Sequence, residues 1–190
     1  MGQPGMLCRV FVVYTLATSV WAISITQFGA ISNDGSDATS AINAAALLKT
    51  FLAAHASSTD RVVLVPAGGN FTIFPTYVSA VNNISFQVDG ILTVNNNITA
   101  TAWTRGGVDY GVVQIVDSSD LEVRGAGLYD GQGYTWWWYV FLTTGDWRPH
   151  MLMMQRCVNV LIHELTFHNS PQYHMLLEDM LGLVVRDLTM

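Results

Sequence analysis

Residues 159–166 read NVLIHELT and residues 182–189 read GLVVRDLT, so a similar segment recurs with Gly182 in the place of Asn159. The strands that precede them also match, because residues 150–153 (HMLM) resemble residues 174–177 (HMLL), with His174 in the place of His150. A period in the low twenties, with two or three short strands per repeat, is typical of a parallel β-helix. We therefore predict an all-β solenoid in which each coil stacks on the last.

Alternating polarity within the repeated strands supports this fold, because successive side chains of a strand point to opposite faces. The residues predicted to face inward are Leu121, Val123, Val160, Ile162, Leu183 and Val185, and those predicted to face outward are Glu122, Leu161 and Val184. A β-sandwich also uses short, evenly spaced strands. Between the later strands its hairpin turns have only Asp89-Gly90 and Asp130-Gly131 as candidates, so the pattern favours the β-helix.

One convincing helix is predicted, over Ala38–Ala54, where alanines and Ile42, Leu48 and Leu52 recur at helical spacing. Ser36 or Asp37 is expected to cap its first turn. The segment Ile23–Ala30 before it is predicted to be a strand. Predicted later strands are Arg61–Val65, Ile84–Val88, Ile91–Val94, Val112–Val116, Leu121–Val123, Met151–Met154, Val160–Ile162, Met175–Leu177 and Leu183–Val185.

Residues 1–22 have the pattern of a cleaved signal peptide. Arg9 supplies a positive charge, Val10–Leu16 an apolar segment, and Val20-Trp21-Ala22 a cleavage site. The apolar segment is too short to span a bilayer, which takes roughly 20 residues; an uncleaved anchor is the alternative. Residues 23–190 are then one β-helix domain, secreted to the extracellular space or cell wall, with no membrane attachment after cleavage.

Charge, cysteine content and sequons limit what this chain can be. The formal charge of −6 and the single lysine, Lys49, argue against a nucleic-acid binder. Without the signal peptide only Cys157 remains, so no internal disulfide is expected. Nothing in the sequence calls for a cofactor or metal. Acceptor sequons at Asn70, Asn83 and Asn97 predict glycosylation of a secreted chain.

Several segments, in order, resemble a known family. Phe28-Gly29-Ala30 with the helix after it, and Val65-Pro66-Ala67-Gly68, resemble the opening of pectin lyase-like β-helices. The segments 125–137, Arg148-Pro149 and Asn169-Ser170-Pro171 are similar to those of the polygalacturonases of glycoside hydrolase family twenty-eight. The resemblance covers nearly all of residues 23–190. It implies a right-handed parallel β-helix with an N-terminal capping α-helix.

The resemblance also implies an activity, the inverting hydrolysis of α-1,4-galacturonosyl linkages in pectin. Family members share an Asn-Thr-Asp segment, an Asp-Asp pair, a Gly-His-Gly turn and an Arg-Ile-Lys segment, and none of these occurs in this sequence. We therefore expect a β-helix truncated at its C-terminal end, with no catalytic residue assigned and little or no hydrolysis. The alternatives are a non-catalytic carbohydrate-binding or wall-associated β-helix and a polysaccharide lyase.

In the register of the family, five residues are expected to form the floor of an outer sugar site: Arg148, His150, Gln172, Tyr173 and His174. Arg148 is a candidate for two-pronged pairing with a galacturonate carboxylate. Of Trp136, Trp137 and Trp138, at least two are expected to pack a loop against the β-helix rather than stack on sugar. The expected partner is a pectic polysaccharide or oligogalacturonate, and the expected state is a monomer.

Overall fold

The computed structural model describes residues 22–46, 61–103, 111–143 and 145–190. In these ranges the chain forms fourteen strands, a 3-10 helix at Ile25–Phe28, a helical segment over residues 39–46 and a helix, α1, at Gly133–Leu142. The strands are β1 (Ile23–Ser24), β2 (Val62–Val65), β3 (Asn70–Ile73), β4 (Thr76–Ser79), β5 (Asn82–Val88), β6 (Ile91–Val94), β7 (Gly111–Val116), β8 (Ser119–Arg124), β9 (Leu128–Asp130), β10 (His150–Gln155), β11 (Val158–His163), β12 (Thr166–His168), β13 (Met175–Glu178) and β14 (Leu181–Arg186).

From β2 onward every third strand returns to the same sheet, so the chain winds as a parallel β-helix. Sheet 1 has the order β1-β2-β5-β8-β11-β14, sheet 2 the order β12-β9-β6-β3 and sheet 3 the order β13-β10-β7-β4. Every strand pair is parallel. The winding is right-handed, as parallel crossovers are in nearly all proteins. The predicted fold class, a right-handed parallel β-helix with an N-terminal helix over its end, is confirmed.

The inner faces stack into continuous columns of apolar side chains. Leu121 pairs with Val160 and then Leu183 in successive coils, and Val123 pairs with Ile162 and then Val185. In the coils that have neighbours on both sides these side chains are almost fully buried, at 6% exposure or less. Aliphatic side chains buried to this degree each contribute about 1.5–3 kcal/mol, so the columns dominate the stability of the fold.

Tight turns between sheet 3 and sheet 1 repeat with one backbone conformation. Ala80, Asp117, Arg156 and Asp179 each follow the last residue of a sheet 3 strand and each has a positive φ of 50–54°. Positive φ is costly for residues other than glycine, and here it is repeated because each turn hydrogen-bonds to the next. The N–H of Ala80 donates to Val116 O at 3.2 Å, and that of Asp117 to Gln155 O at 3.0 Å.

The N-terminal end of the β-helix is covered by helical residues 39–46. Asp37 caps them, its Oδ1 accepting a 2.9 Å hydrogen bond from the N–H of Thr39, which confirms one of the two predicted caps. Ala41, Ile42, Ala45 and Ala46 are buried against the coils. The rest of the predicted helix, residues 47–54, lies outside the described residues, as does nearly all of the predicted signal peptide.

Two coils are longer than the others, and both are lengthened at the same corner. The short coils step from Val62 to Ser85 and from Val158 to Leu181, the same distance along the chain. The long coils step from Asn82 to Ser119 and from Ser119 to Val158. The additional residues lie between β6 and β7 and between β9 and β10. Both connections join sheet 2 to sheet 3, and the second contains α1.

Three expectations from the sequence are wrong. Ile23–Ala30 is a strand for only two residues before the 3-10 helix, in which Gly29 at φ 91° ends the turn. The sequence match sets His174 opposite His150, but β10 and β13 pair Leu152 with Met175. Tyr173, and not His174, is therefore the residue opposite His150. Finally, α1 is a second helix that the sequence pattern did not reveal, because its residues are apolar on every side.

His163 lies on the outer face of sheet 1, yet it is only 5% exposed. Its Nε2 is 2.9 Å from Oε1 of Glu122 and its Nδ1 is 3.4 Å from Oε2 of Glu164. Burial raises the pKa of Glu122, but hydrogen bonds from His163 and Ser85 and the charge of Arg124 outweigh it and hold that pKa below its ordinary value. Neighbouring coils are thus also joined on the outside.

None of the described helices is long and apolar enough to cross a membrane.

Gly127→Ala is expected to destabilise the β-helix. A Cβ at Gly127 would lie 2.1 Å from Gly90 O and 2.6 Å from Val88 O, both rigid backbone atoms of the preceding coil. Overpacking of this kind costs about 1–3 kcal/mol or more in the free energy of unfolding, measurable by urea denaturation. Gly145→Ala is the matched control, because its nearest neighbour would be Trp147 Cδ1 at 3.9 Å. Equal midpoints for the two variants would contradict the argument.

Glu122→Gln is expected to make unfolding less sensitive to acid. A carboxyl whose pKa is lowered by folding stabilises the fold fully above its ordinary pKa of 4.5. That stabilisation is lost as the pH falls below 4.5 and through the folded-state pKa. We expect the free energy of unfolding to fall less steeply over this acid range in Glu122→Gln. Glu164→Gln, at a side chain 64% exposed, is the control, and an equal change there would refute a particular role for Glu122.

Candidate functional site

The five residues predicted to bind sugar are brought together at one corner of the β-helix. We define the insertion corner as residues 131–149 and 169–174, the sheet 2 to sheet 3 connections of two successive coils. Arg148 and His150 lie at the end of the first connection, which leads into β10. Gln172, Tyr173 and His174 lie on the second, which leads into β13. The convergence follows from the solenoid, which places equivalent turns of successive coils about 4.8 Å apart.

The helix α1 is held on this corner by an aromatic cluster. Trp136 is fully buried and packs edge-on between Trp103, at a ring-centre distance of 4.9 Å, and Trp147, at 5.0 Å. Trp103 contacts Phe74 in turn, at 5.6 Å. Edge-to-face pairs of this kind each add about 0.5–1.5 kcal/mol beyond burial, so Trp136 is a strong anchor of the long connection on the β-helix.

Hydrogen bonds join the first connection to the second. The N–H of Gly131 donates to His168 O and that of Gly133 to Asn169 O, both at 2.8 Å. The indole N–H of Trp137 donates to the carbonyls of Ser170 and Pro171 at 3.0 and 3.1 Å. The turn that carries Gln172 and Tyr173 is therefore fixed from below by α1.

Arg148 serves as a further clamp at the corner. Its Nε and Nη2 donate to the two carboxylate oxygens of Asp146 at 2.8 and 2.7 Å, and its Nη1 donates to Pro171 O at 3.3 Å. The hydrogen bond from Arg148 lowers the pKa of Asp146, and the same bond raises the pKa of Arg148. The forked face predicted to bind a galacturonate carboxylate is thus already paired with a carboxylate of this chain.

Tyr173 presents an aromatic face at the corner. It is 58% exposed, and its other face stacks on His150 with ring centres 5.2 Å apart and an interplanar angle of 5°. His150 itself is 1% exposed. The stack results from the strand register: with Leu152 opposite Met175, Tyr173 and not His174 lies above His150. A planar, exposed ring with rigid support is suited to stacking on the apolar face of a sugar.

Gln172 and His174 flank this ring, and both are partly buried. The ring of His174 packs against Phe167 at 6.3 Å. Burial, and secondarily the charge of His168, lowers the pKa of His174. A neutral imidazole and a primary amide both offer a donor and an acceptor to a hydroxyl-rich ligand.

Acidic residues in the described part of the corner, and those next to it on β9 and β13, are engaged in structure. Asp130 accepts from the N–H of Gln132 at 3.1 Å, and Asp146 is held by Arg148. Glu178 ends β13 and accepts a hydrogen bond from Gln155 Nε2 at 3.0 Å, and Asp179 forms the turn that follows. No group of three or more metal-ligating side chains occurs within the described ranges.

The other predicted residues are dispersed. Of the three sequon asparagines, Asn83 and Asn97 are exposed, whereas Asn70 begins β3 and its Oδ1 accepts from Thr93 Oγ1 at 2.7 Å. Their glycosylation stays a prediction. Trp136 packs as expected, but Trp137 and Trp138 are 43% and 47% exposed. Sequence reasoning does not identify Asp146, which is important to the corner; the available signal is its spacing of two residues from Arg148.

Comparisons with known proteins identify relatives of this chain. The family model described as glycosyl hydrolases family 28 matches residues 56–190. A polygalacturonase of Chamaecyparis obtusa is 24% identical over 185 residues, which cover 93% of this chain and 34% of that protein. The chain thus spans about a third of the length of the curated relatives it matches.

Solved structures resemble the fold. An exopolygalacturonase of Thermotoga maritima superposes with a TM-score of 0.69 at 16% identity, over 88% of this chain and 46% of that one. A polygalacturonase of Erwinia carotovora gives a TM-score of 0.63 at 20% identity, over 82% and 45%. Family model, relatives and fold agree, and the chain belongs to the glycosyl hydrolases family 28.

Proposed function

We propose that this chain supplies N-terminal coils and an outer sugar-binding surface of a polygalacturonase-type protein that acts on pectic polysaccharide outside the cell. The observation that carries the proposal is the ring of Tyr173, exposed at the insertion corner and supported by the buried ring of His150. Family membership supports the substrate class, because polygalacturonases recur among the relatives and similar structures.

Tyr173 is the proposed stacking surface, with Gln172 and His174 as hydrogen-bond partners for sugar hydroxyls. Arg148 has a different role from the one its sequence position indicates. Because Asp146 occupies its fork and Pro171 O its third nitrogen, it positions the turn that carries Tyr173. Its positive charge, compensated by Asp146, attracts a galacturonate carboxylate only weakly.

The proposed role of this segment is binding without cleavage. Inverting hydrolysis needs a protonated carboxylic acid and a separate carboxylate about 6.5–9.5 Å apart. At the corner, Asp146 has a pKa lowered by Arg148 and so stays ionised, while Asp130 accepts hydrogen bonds from the N–H and side-chain amide of Gln132. Neither is placed to donate a proton, which supports the absence of a catalytic pair from the described part of the corner.

Tyr173→Ala is expected to weaken binding of an oligogalacturonate roughly 3- to 10-fold, since one aromatic contact contributes about 0.5–1.5 kcal/mol. Isothermal titration calorimetry with a defined oligogalacturonate measures the change. Tyr77→Ala is the matched control, because Tyr77 is 57% exposed on the outer face of β4, two coils before β10. An affinity that falls equally in both variants, or in neither, would exclude the insertion corner as the binding surface.

Purified protein of this sequence is expected to release no reducing ends from polygalacturonate, because the Asn-Thr-Asp and Asp-Asp segments that family members share do not occur in it. The measurement is a reducing-end assay over hours, with an active polygalacturonase as the positive control. Asp146→Asn is the informative variant if activity appears: a background contaminant is unaffected by it, whereas catalysis at the corner is lost. Activity that Asp146→Asn abolishes would refute the proposal of binding without cleavage.

A further inference from the structure

The outer side of α1 exposes a row of aromatic rings that the sugar site described above does not use. The exposed fractions are 67% for Tyr134, 47% for Trp138 and 77% for Phe141. Tyr134 contacts Trp138 with ring centres 6.1 Å apart, and Trp138 contacts Phe141 at 5.5 Å. We call these three residues the aromatic row. Folded proteins rarely leave contiguous rings open without a binding role.

The aromatic row is rigid although it faces solvent. It occupies positions i, i+4 and i+7 of one helix, which share a face. Directly behind it, Trp136 is fully buried between two other tryptophans. Trp137, between Trp136 and Trp138 in sequence, is tied by its indole N–H to the turn before Tyr173. Because these side chains are already held in place, binding of a ligand costs little conformational entropy, which favours binding.

The chemistry of the row points to an uncharged ligand. Residues 131–145 contain no acidic or basic side chain and no histidine. An anionic sugar finds no counter-charge there, and a peripheral membrane helix would carry lysines or arginines beside its aromatic face. Flat rings on a neutral surface instead suit the C–H faces of pyranose rings, while Thr135 and Thr143 offer hydroxyls at either end of the helix.

We propose that the aromatic row binds uncharged pyranose chains, represented by methyl-esterified galacturonate oligomers, and extends the site at Tyr173 along α1. The inference rests on the proposed function, because the site at Tyr173 and the aromatic row are both proposed to bind the same pectic polymer. Tyr173 and its polar neighbours, which lie beside Arg148, take the acidic stretches, and the aromatic row, which has no charged side chain near it on α1, takes the esterified ones. Trp137 connects the two surfaces, because it belongs to α1 and hydrogen-bonds the turn that leads to Tyr173.

The test uses the full chain and two probes, a methyl-esterified oligogalacturonate and the same oligomer after de-esterification, in calorimetric titrations. The double variant Trp138→Ser/Phe141→Ser is expected to weaken binding of the esterified oligomer about tenfold and to leave the de-esterified one unchanged. Tyr77→Ser is the control for loss of an exposed ring. Circular dichroism checks that each variant retains its strands.

The outcomes separate this inference from the proposed function. Failure of the double variant to weaken binding of the esterified oligomer overturns the inference. Sedimentation of the original chain as a dimer that the double variant converts to a monomer also overturns it, in favour of a second copy as the occupant. Binding to phosphatidylcholine vesicles that the double variant abolishes overturns it in favour of a lipid surface. A loss of de-esterified binding in Tyr173→Ala supports the proposed function in each of these cases.

Discussion

The structure depends on the register between coils. Parallel strands in neighbouring coils lie about 4.8 Å apart, and each coil must return to the same backbone hydrogen bonds. At the crossing of Gly127 over Gly90 the approach leaves no space for a Cβ. The turns that lead into sheet 1 repeat a positive φ at Ala80, Asp117 and Arg156. Strain that would be unfavourable in a single turn is accepted because each turn satisfies the backbone of the next.

The same register assembles the proposed binding surface. Two coils lengthen only where sheet 2 passes to sheet 3, so their additional residues accumulate on one side of the solenoid. Trp136 packs the long connection onto the β-helix, and Trp137 and Arg148 hydrogen-bond it to the following turn. The pairing of β10 with β13 then sets Tyr173 directly above His150. The position of the exposed Tyr173 ring is therefore a product of the stacking geometry and of these anchors.

Much of the fold could be predicted from the sequence, and the reasons are physical. Alternation and the repeat identified the sheet 1 strands, because a buried face imposes period two on Leu121 and Val123. The short strands β3, β4 and β9 escaped prediction, since each mixes polar with apolar side chains over only three or four residues, whereas the equally short β2 and β6 are rich in apolar side chains. Helix α1 escaped because GYTWWWYVFL has no polar face. The five site residues could be placed at one corner, but the pairing of Arg148 with Asp146 depends on side-chain orientation that no spacing reveals.

Confining insertions to one corner has a consequence for how such a protein changes over time. A segment added between sheet 2 and sheet 3 leaves every strand pairing intact, and closing a longer loop adds only about 0.6 kcal/mol for each doubling of its length. Mutation can therefore lengthen, shorten or replace the segment that carries α1 while the strands of the β-helix keep their register. The corner is the part of the molecule in which new ligand preferences can arise without a new fold.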